Sequence, residues 1–260
     1  KYSAHSMGAY VQDLVEFTPG WKLLGGLRWD RVSSNQNRDV YASAANGGAL
    51  IGNDSSELRY NSLFSQRLGL LYQPTDFASF HVAYSTSFNS AADTYKDTSQ
   101  QTANTEPEKS RNFEIGAKLD WLDGKLSTRA ALFRTEKYNE RNQDPGSASD
   151  QYLLSGKRHA LGMEFNAAGR LTPKWEVFWN HSWIPTAKID KSNQVLSANG
   201  GGAQVEGDRP GLTPKHSGSL WTTDRVLPKL RLGAGANYRS SQHPDGSRAV
   251  KADSFVTWDA

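Results

Sequence analysis

What most constrains this chain is an alternation of apolar and polar residues sustained over whole segments. Phe113, Ile115, Ala117, Leu119 and Trp121 interleave with Asn112, Glu114, Gly116, Lys118 and Asp120. Successive side chains of a strand point to opposite faces, so this spacing gives one apolar and one charged face. Leu161, Met163, Phe165 and Ala167 interleave with Gly162, Glu164 and Asn166 in the same way. So do Leu230, Leu232, Ala234, Ala236 and Tyr238 with Arg231, Gly233, Gly235, Asn237 and Arg239. Leu23, Gly25, Leu27 and Trp29 repeat the pattern, with Leu24 breaking it. No segment carries a helical repeat, and the expected class is all-β.

Turn chemistry orders these strands. Thr18-Pro19-Gly20, Gln73-Pro74-Thr75-Asp76, Leu122-Asp123-Gly124-Lys125, Leu171-Thr172-Pro173-Lys174 and Leu227-Pro228-Lys229 are short and rich in turn formers. They recur roughly every 50 residues, too far apart for a simple meander of ~5–6-residue strands. Polar stretches rich in Gly, Ser, Asn and Asp lie between them, at 33–56, 89–108, 139–150, 187–207 and 240–248. Short turns and long loops therefore alternate, so one rim of an up-and-down barrel carries the turns and the other the loops, the layout of outer-membrane barrels. Phe17, Trp21, Tyr72, Phe77, Trp121 and Trp175 flank the turns, where the periplasmic interface of such a barrel needs amphipathic rings. Eleven strands are predicted, at 3–17, 21–31, 57–72, 77–88, 110–121, 126–138, 153–168, 175–184, 215–224, 230–239 and 249–258. A crossing needs ~9–11 residues at the usual tilt.

Composition enters as a set of exclusions. Mean hydropathy is −0.68, which disfavours a helical membrane protein but suits a barrel that shows lipid every second side chain. The 30 Lys and Arg residues are scattered, and the net charge is only +3, so no nucleic-acid partner is expected. Cysteine is absent, a weak signal. The six histidines are spread widely, and no HExxH, nucleophile elbow or P-loop spacing occurs, so no enzyme is expected. No cluster has metal-ligand spacing. A closed single-chain bacterial barrel normally has an even strand number. The odd count, the missing terminal aromatic anchor and the missing signal peptide lead to the expectation of a partial barrel, truncated at both ends.

Several short motifs then stand in order. Asn104-Thr105-Glu106-Pro107-Glu108-Lys109-Ser110-Arg111-Asn112-Phe113-Glu114-Ile115-Gly116 resembles the PExSxxxExG stretch of TonB-dependent receptors. Tyr84-Ser85-Thr86-Ser87-Phe88 is similar to the YStSF strand end of the siderophore branch, and Tyr10-Val11-Gln12-Asp13 to its YxQD strand. Arg209-Pro210-Gly211-Leu212-Thr213-Pro214-Lys215-His216 resembles the entry to a late barrel strand of the same family. The haem branch carries an FRAP element where Ser85–Phe88 stands, which argues against haem as cargo.

The resemblance implies an antiparallel up-and-down transmembrane β-barrel of about 22 strands in the bacterial outer membrane. Residues 1–260 would be part of its C-terminal barrel region, without the N-terminal plug domain. The implied function is uptake of ferric siderophores, catecholate type, driven by TonB in the full-length protein. A passive porin-like barrel and a soluble β-rich binding module are the alternatives. The implied partners are the ferric siderophore, outer-membrane lipid or lipopolysaccharide, and the plug and TonB through the missing N-terminal segment. No cofactor is expected to bind directly, and iron would arrive inside its chelator.

A ferric catecholate is anionic and aromatic, so its site needs permanent cations and rings to stack on, and Arg supplies charge and a stacking plane together. The loop-side candidates are Arg38, Tyr41, Tyr95, Tyr138, Arg141, Arg158, His159, Trp183, Arg209, Arg239 and His243. The lumen face is expected to carry Arg28, Asp30, Glu114, Lys118, Asp120, Arg129, Glu164, Arg231 and Arg239, as a polar bed or as cross-strand pairs.

Overall fold

The computed structural model describes residues 2–43, 47–89, 106–143, 152–192, 205–244 and 250–260. They form one sheet of eleven strands, paired in sequence order and antiparallel throughout. The strands are β1 (Tyr2–Thr18), β2 (Trp21–Tyr41), β3 (Leu50–Tyr72), β4 (Ala78–Asn89), β5 (Glu108–Trp121), β6 (Leu126–Gln143), β7 (Tyr152–Arg170), β8 (Trp175–Lys191), β9 (His216–Leu227), β10 (Leu230–Arg239) and β11 (Phe255–Asp259). The sheet is not closed: β1 and β11 are its edges among the described residues.

No second layer covers this sheet. Among the described residues only Leu58, Tyr60, Leu63 and Ile189 are buried apolar side chains, whereas Phe64, Phe113, Ile115, Leu132, Leu161, Phe178 and Leu220 stay roughly half exposed or more. A soluble chain of this length would hide such residues between two layers, so the soluble module is not what this sequence folds into. The register explains the exposure. Trp21, Leu23, Gly25, Leu27 and Trp29 pair with Tyr72, Leu70, Leu68, Gln66 and Phe64. Val82 and Tyr84 pair with Ile115 and Phe113, Leu132 pairs with Ile115 and with Met163, and Met163 pairs with Trp183. The apolar stripes of successive strands therefore merge into one face. Its opposite carries most of the charged residues, with Phe178 paired to Trp221 as an apolar exception, and the wall of a membrane barrel needs that division between hydrocarbon outside and water within.

Several strands run further than expected. β2 and β3 stay paired to Tyr41 and Leu50, through sequence that reads as loop, and β8 continues to Lys191. Beyond the bilayer both faces meet water, so the apolar period disappears although the hydrogen-bonded ladder continues. Three successive left-handed residues, Leu122 (φ 55°), Asp123 (φ 58°) and Gly124 (φ 79°), make the β5–β6 turn.

The structure also brings out a second aromatic ring. Eight residues up from the turn end stand Trp29 (from 21), Phe64 (from 72), Phe113 (from 121), Trp183 (from 175) and Tyr238 (from 230). All are on the outward stripe. At ~3.3 Å per residue the two rings lie about 26 Å apart along the strand, which at a tilt of ~40° is about 20 Å upright, near the ~25 Å expected of an apolar band between aromatic girdles. The lower ring is tied by contact: Trp21 stacks on Tyr72 with centroids 4.3 Å apart, and Phe77 meets Trp121 edge-on at 4.8 Å.

Candidate functional site: the lumen face and the loop rim

The polar face carries a ladder of charge-assisted bonds. On β2, Arg28 Nε and Nη2 donate to the Asp30 carboxylate at 2.8 and 2.6 Å. Lys118 meets Asp120 at 2.6 Å. Glu176 accepts from Arg170 at 3.0 Å and from Arg231 at 2.5 Å, which joins β7, β8 and β10. The expected lumen set is thus on one face, much of it paired within or across strands. Pairing of this kind fixes side chains in a wet interior and adds little stability per exposed pair.

The PExSxxxExG stretch has a local explanation. Glu108, Ser110, Glu114 and Gly116 share the lumen face of β5 and reach both neighbours. Ser110 and Ser87 hydroxyls are 2.6 Å apart, Glu114 meets His81 Nε2 at 2.9 Å, and Glu108 takes an ion pair from Lys137 at 2.7 Å. A Cβ on Gly116 would lie 2.5 Å from the His81 ring and 2.9 Å from the Ala130 carbonyl. The motif is a seam that locks β4, β5 and β6.

The loop-side candidates divide by parity. Arg38, Arg158 and Arg239 are on the lumen face. Arg38 pairs with Asp54 at 3.5 Å, and Arg158 forks onto Glu140, which also takes Lys137 at 3.6 Å. Arg239 is exposed and makes no hydrogen bond or ion pair among the described residues. Tyr41 is on the opposite face of the β2–β3 hairpin from Arg38 and is 60% exposed. Tyr138, His159 and Trp183 are on the outward stripe: Tyr138 under Arg111 at 5.9 Å, His159 bonded to Asp190 at 2.7 Å, and Trp183 stacked on His216 at 6.2 Å. Tyr95 and the side chain of Arg141 lie outside the described residues. Height above the turns put these residues together in the sequence, and the pleat separates them.

Arg209 and His243 are built into the loops. Arg209 donates to the carbonyl oxygens of Thr213 (2.8 Å), Ile184 (2.5 Å), Pro185 (3.3 Å) and Pro214 (3.4 Å). Burial pushes its guanidinium below its ordinary pKa, yet arginine keeps its charge. His243 Nδ1 accompanies the Val250 carbonyl at 2.9 Å, and its own carbonyl accepts from Leu212 N–H at 2.8 Å. We expect Arg209→Ala to leave these carbonyls without a donor at a cost of about 2 kcal/mol. Limited proteolysis should cut faster between 205 and 215 while the strands stay folded.

Two clefts were not singled out in the sequence, the first on the lumen face and the second between strands. Arg67 lines a cleft of about 370 Å³ with Gln12, Arg28, Ser65, Ser85 and Ser87. It makes no hydrogen bond or ion pair among the described residues, and its even spacing from Gly69 and Leu71 is the signal that placed it. A second cleft of about 580 Å³ opens where β3 and β4 stop pairing above Arg67 and Ser85, with Tyr60, Leu63, Phe88, Lys109 and Tyr138 in its walls. Among the described residues no group of three or more His, Asp or Glu is placed to hold a metal ion.

Comparison with known proteins gives these features a family. A family model described as TonB dependent receptor-like, beta-barrel, matches residues 1–260. The chain is 31% identical over 266 residues to "Probable TonB-dependent siderophore receptor PiuA" of Acinetobacter baumannii, which covers 99% of this chain and 34% of that protein. It is 27% identical over 264 residues to the catecholate siderophore receptor Fiu of Escherichia coli strain K12, covering 95% and 33%. Among solved structures, that of PiuA superposes with a TM-score of 0.84 at 29% identity, over 99% of this chain and 36% of that one. The closed form of Fiu superposes at 0.81 and 23% identity, a likeness of fold, over 98% and 37%. The chain spans about a third of the length of these relatives. Its whole length matches the barrel model, and its strands are those of an outer-membrane wall. This chain belongs to the TonB-dependent receptor β-barrel family.

Proposed function

We propose that the chain is the loop-bearing barrel part of a receptor that takes up ferric siderophores across the outer membrane, with energy from TonB delivered through a plug domain elsewhere in the protein. The observation that carries this is the match along 99% of the chain to a siderophore receptor at 31% identity, together with a lumen lined by fixed cations. The iron is cargo and arrives chelated. Its chelator is proposed to be a catecholate, supported by the relative named for that class and by the basic and aromatic loop rim. Arg38, Arg158 and Arg239 are the proposed ligand-facing cations, and Tyr41, Tyr95 and Arg141 are proposed with them at the rim. Tyr138, His159 and Trp183 support the wall from outside, and Arg209 and His243 shape the loops.

The test is uptake of radiolabelled iron by cells with the gene deleted and then restored, given one ferric siderophore at a time. Restoration should recover uptake of a ferric catecholate but not of ferric hydroxamates. Equal recovery with any chelator, or none with a catecholate, would refute the proposal. Replacing Arg38 and Arg239 together by glutamine should weaken ferric-catecholate binding by about 10-fold or more, since each lost charged hydrogen bond is worth ~1.5–3 kcal/mol. Whole-cell binding of labelled ligand reads this out, and immunoblotting checks that receptor levels are unchanged.

A further inference from the structure

The outward face holds a charged cluster that siderophore uptake does not use. Glu136 on β6 is on the apolar stripe, in register with Arg111 on β5 and His159 on β7. Its side chain is only 7% exposed, because three cations close over it: Arg111 at 2.5 Å, Arg134 at 2.8 Å and Lys157 at 3.9 Å. The cations themselves stay 42–54% exposed. One carboxylate against three cations leaves two positive charges facing out. Arg111 is further held over the Tyr138 ring.

Height and neighbours say what meets them. Arg134 is eight residues up from Leu126, level by count with the upper aromatic ring, and Glu136 is ten. Phe113 and Leu161, in register with Arg134, and Leu132, two residues below it, face outward and are 45–49% exposed, at the upper edge of the apolar band. The cluster therefore stands where acyl chains give way to headgroups. On β1 to β4 the outward positions near this height hold Met7, Arg31, Ser62 and Thr86, a single cation, whereas on β8 Lys188 is in register with His159, so the cations gather on β5–β8 rather than forming an even belt. Guanidinium forks match phosphate oxygens two at a time. A buried acid that gathers the forks preorganises them.

We propose that Arg111, Arg134 and Lys157, positioned by Glu136, form a binding site for the phosphorylated head of an outer-leaflet lipid, whose chains lie along Phe113, Leu132 and Leu161. The inference rests on the outer-membrane placement of the wall and is independent of which siderophore is carried.

The test uses the full-length receptor that contains this chain, in non-ionic detergent, with lipid binding read by native mass spectrometry. The probes are a bisphosphorylated lipid A and the same lipid after enzymatic removal of both phosphates. The phosphorylated form should bind on the order of 10-fold more tightly, and the preference should vanish in the Arg111→Gln, Arg134→Gln, Lys157→Gln triple variant. Equal binding of the two lipids by the wild type, or an unchanged preference in a folded triple variant, would overturn the proposal. So would displacement of the lipid by millimolar inorganic phosphate, which would make this a free-anion site. Should the triple variant not show the heat-modifiable migration of a folded barrel, Arg134→Lys carries the test. It keeps the charge but loses the fork, and should lower the preference several-fold; an undiminished preference would again contradict the site.

Discussion

Ala130→Arg is expected to cost about 2–4 kcal/mol, whereas Ala131→Arg, one residue away, should cost no more than about 1 kcal/mol. Ala130 is four residues up from Leu126, midway between the two aromatic rings, beside Ala117 and Phe165 on the outward face. An arginine there meets hydrocarbon at close to mid-depth, with no water or counter-charge within easy reach. Ala131 pairs with Gly116 and Glu164 on the lumen face, with Glu114 and His81 nearby. An arginine there enters a wet space and gains a carboxylate. Urea unfolding of the receptor in lipid vesicles separates the two variants. Similar costs at the two positions would mean that the pleat does not divide two solvents.

Gly169→Ala should be nearly as damaging, at about 3 kcal/mol, the sum of backbone strain and crowding each worth ~1–3 kcal/mol. Gly169 holds φ at 140°, and a Cβ there would lie 2.1 Å from the Lys125 carbonyl oxygen and 2.8 Å from Leu126 Cα. That carbonyl cannot move freely, because it accepts from Arg170 N–H at 2.7 Å. The β6–β7 ladder closes on this contact, so a side chain must spread the turn end of two strands. Gly124→Ala is the control: φ is 79°, but nothing stands within 4 Å of the new atom, so only the left-handed backbone is penalised, by about 1 kcal/mol. The comparison is read from the same vesicle unfolding curves. Equal effects would show that the Lys125 contact is not tight in the folded wall.

The alternation at Phe113–Trp121 and Leu230–Tyr238 was legible because a strand between oil and water must repeat every second residue. β10 begins and ends where the sequence puts it, at Leu230 and Arg239. The β2–β3 extension to Tyr41 and Leu50 was not legible, since a hairpin wet on both faces has no apolar period to show. The lower aromatic ring stood out beside its Pro- and Gly-rich turns. The upper ring of Trp29, Phe64, Phe113, Trp183 and Tyr238 has no such punctuation, because strands pass straight through it.

The candidate site was legible in height but not in face. Trp183 and Arg158 are both toward the loop rim, yet one belongs to the outer girdle and the other to the lumen. A bulge between Leu161 and Met163, with its extra residue on β8, shifts the parity above Trp183, which no count along one strand reveals. Glu136 was missed for a related reason: an acid on an apolar stripe breaks the pattern, and its purpose is visible only once Arg111 on β5 and Lys157 on β7 close over it. Arg209 resembled a ligand cation by type and place, and the four carbonyls around it come from both sides of a loop.

Accessibility along β5 tests the central claim most directly. With any cysteine outside this chain replaced, a spin label is placed singly at each position from 112 to 120 of the receptor in lipid vesicles except Gly116, where a Cβ would meet the His81 ring and the Ala130 carbonyl. Collision with oxygen, which concentrates in hydrocarbon, should peak at 113, 115, 117 and 119. Collision with a water-soluble nickel chelate should peak at 112, 114, 118 and 120. Two profiles alternating out of phase are the predicted result; profiles that rise and fall together, or labels shielded from both reagents on the apolar stripe, would contradict a wall with lipid on one side and water on the other.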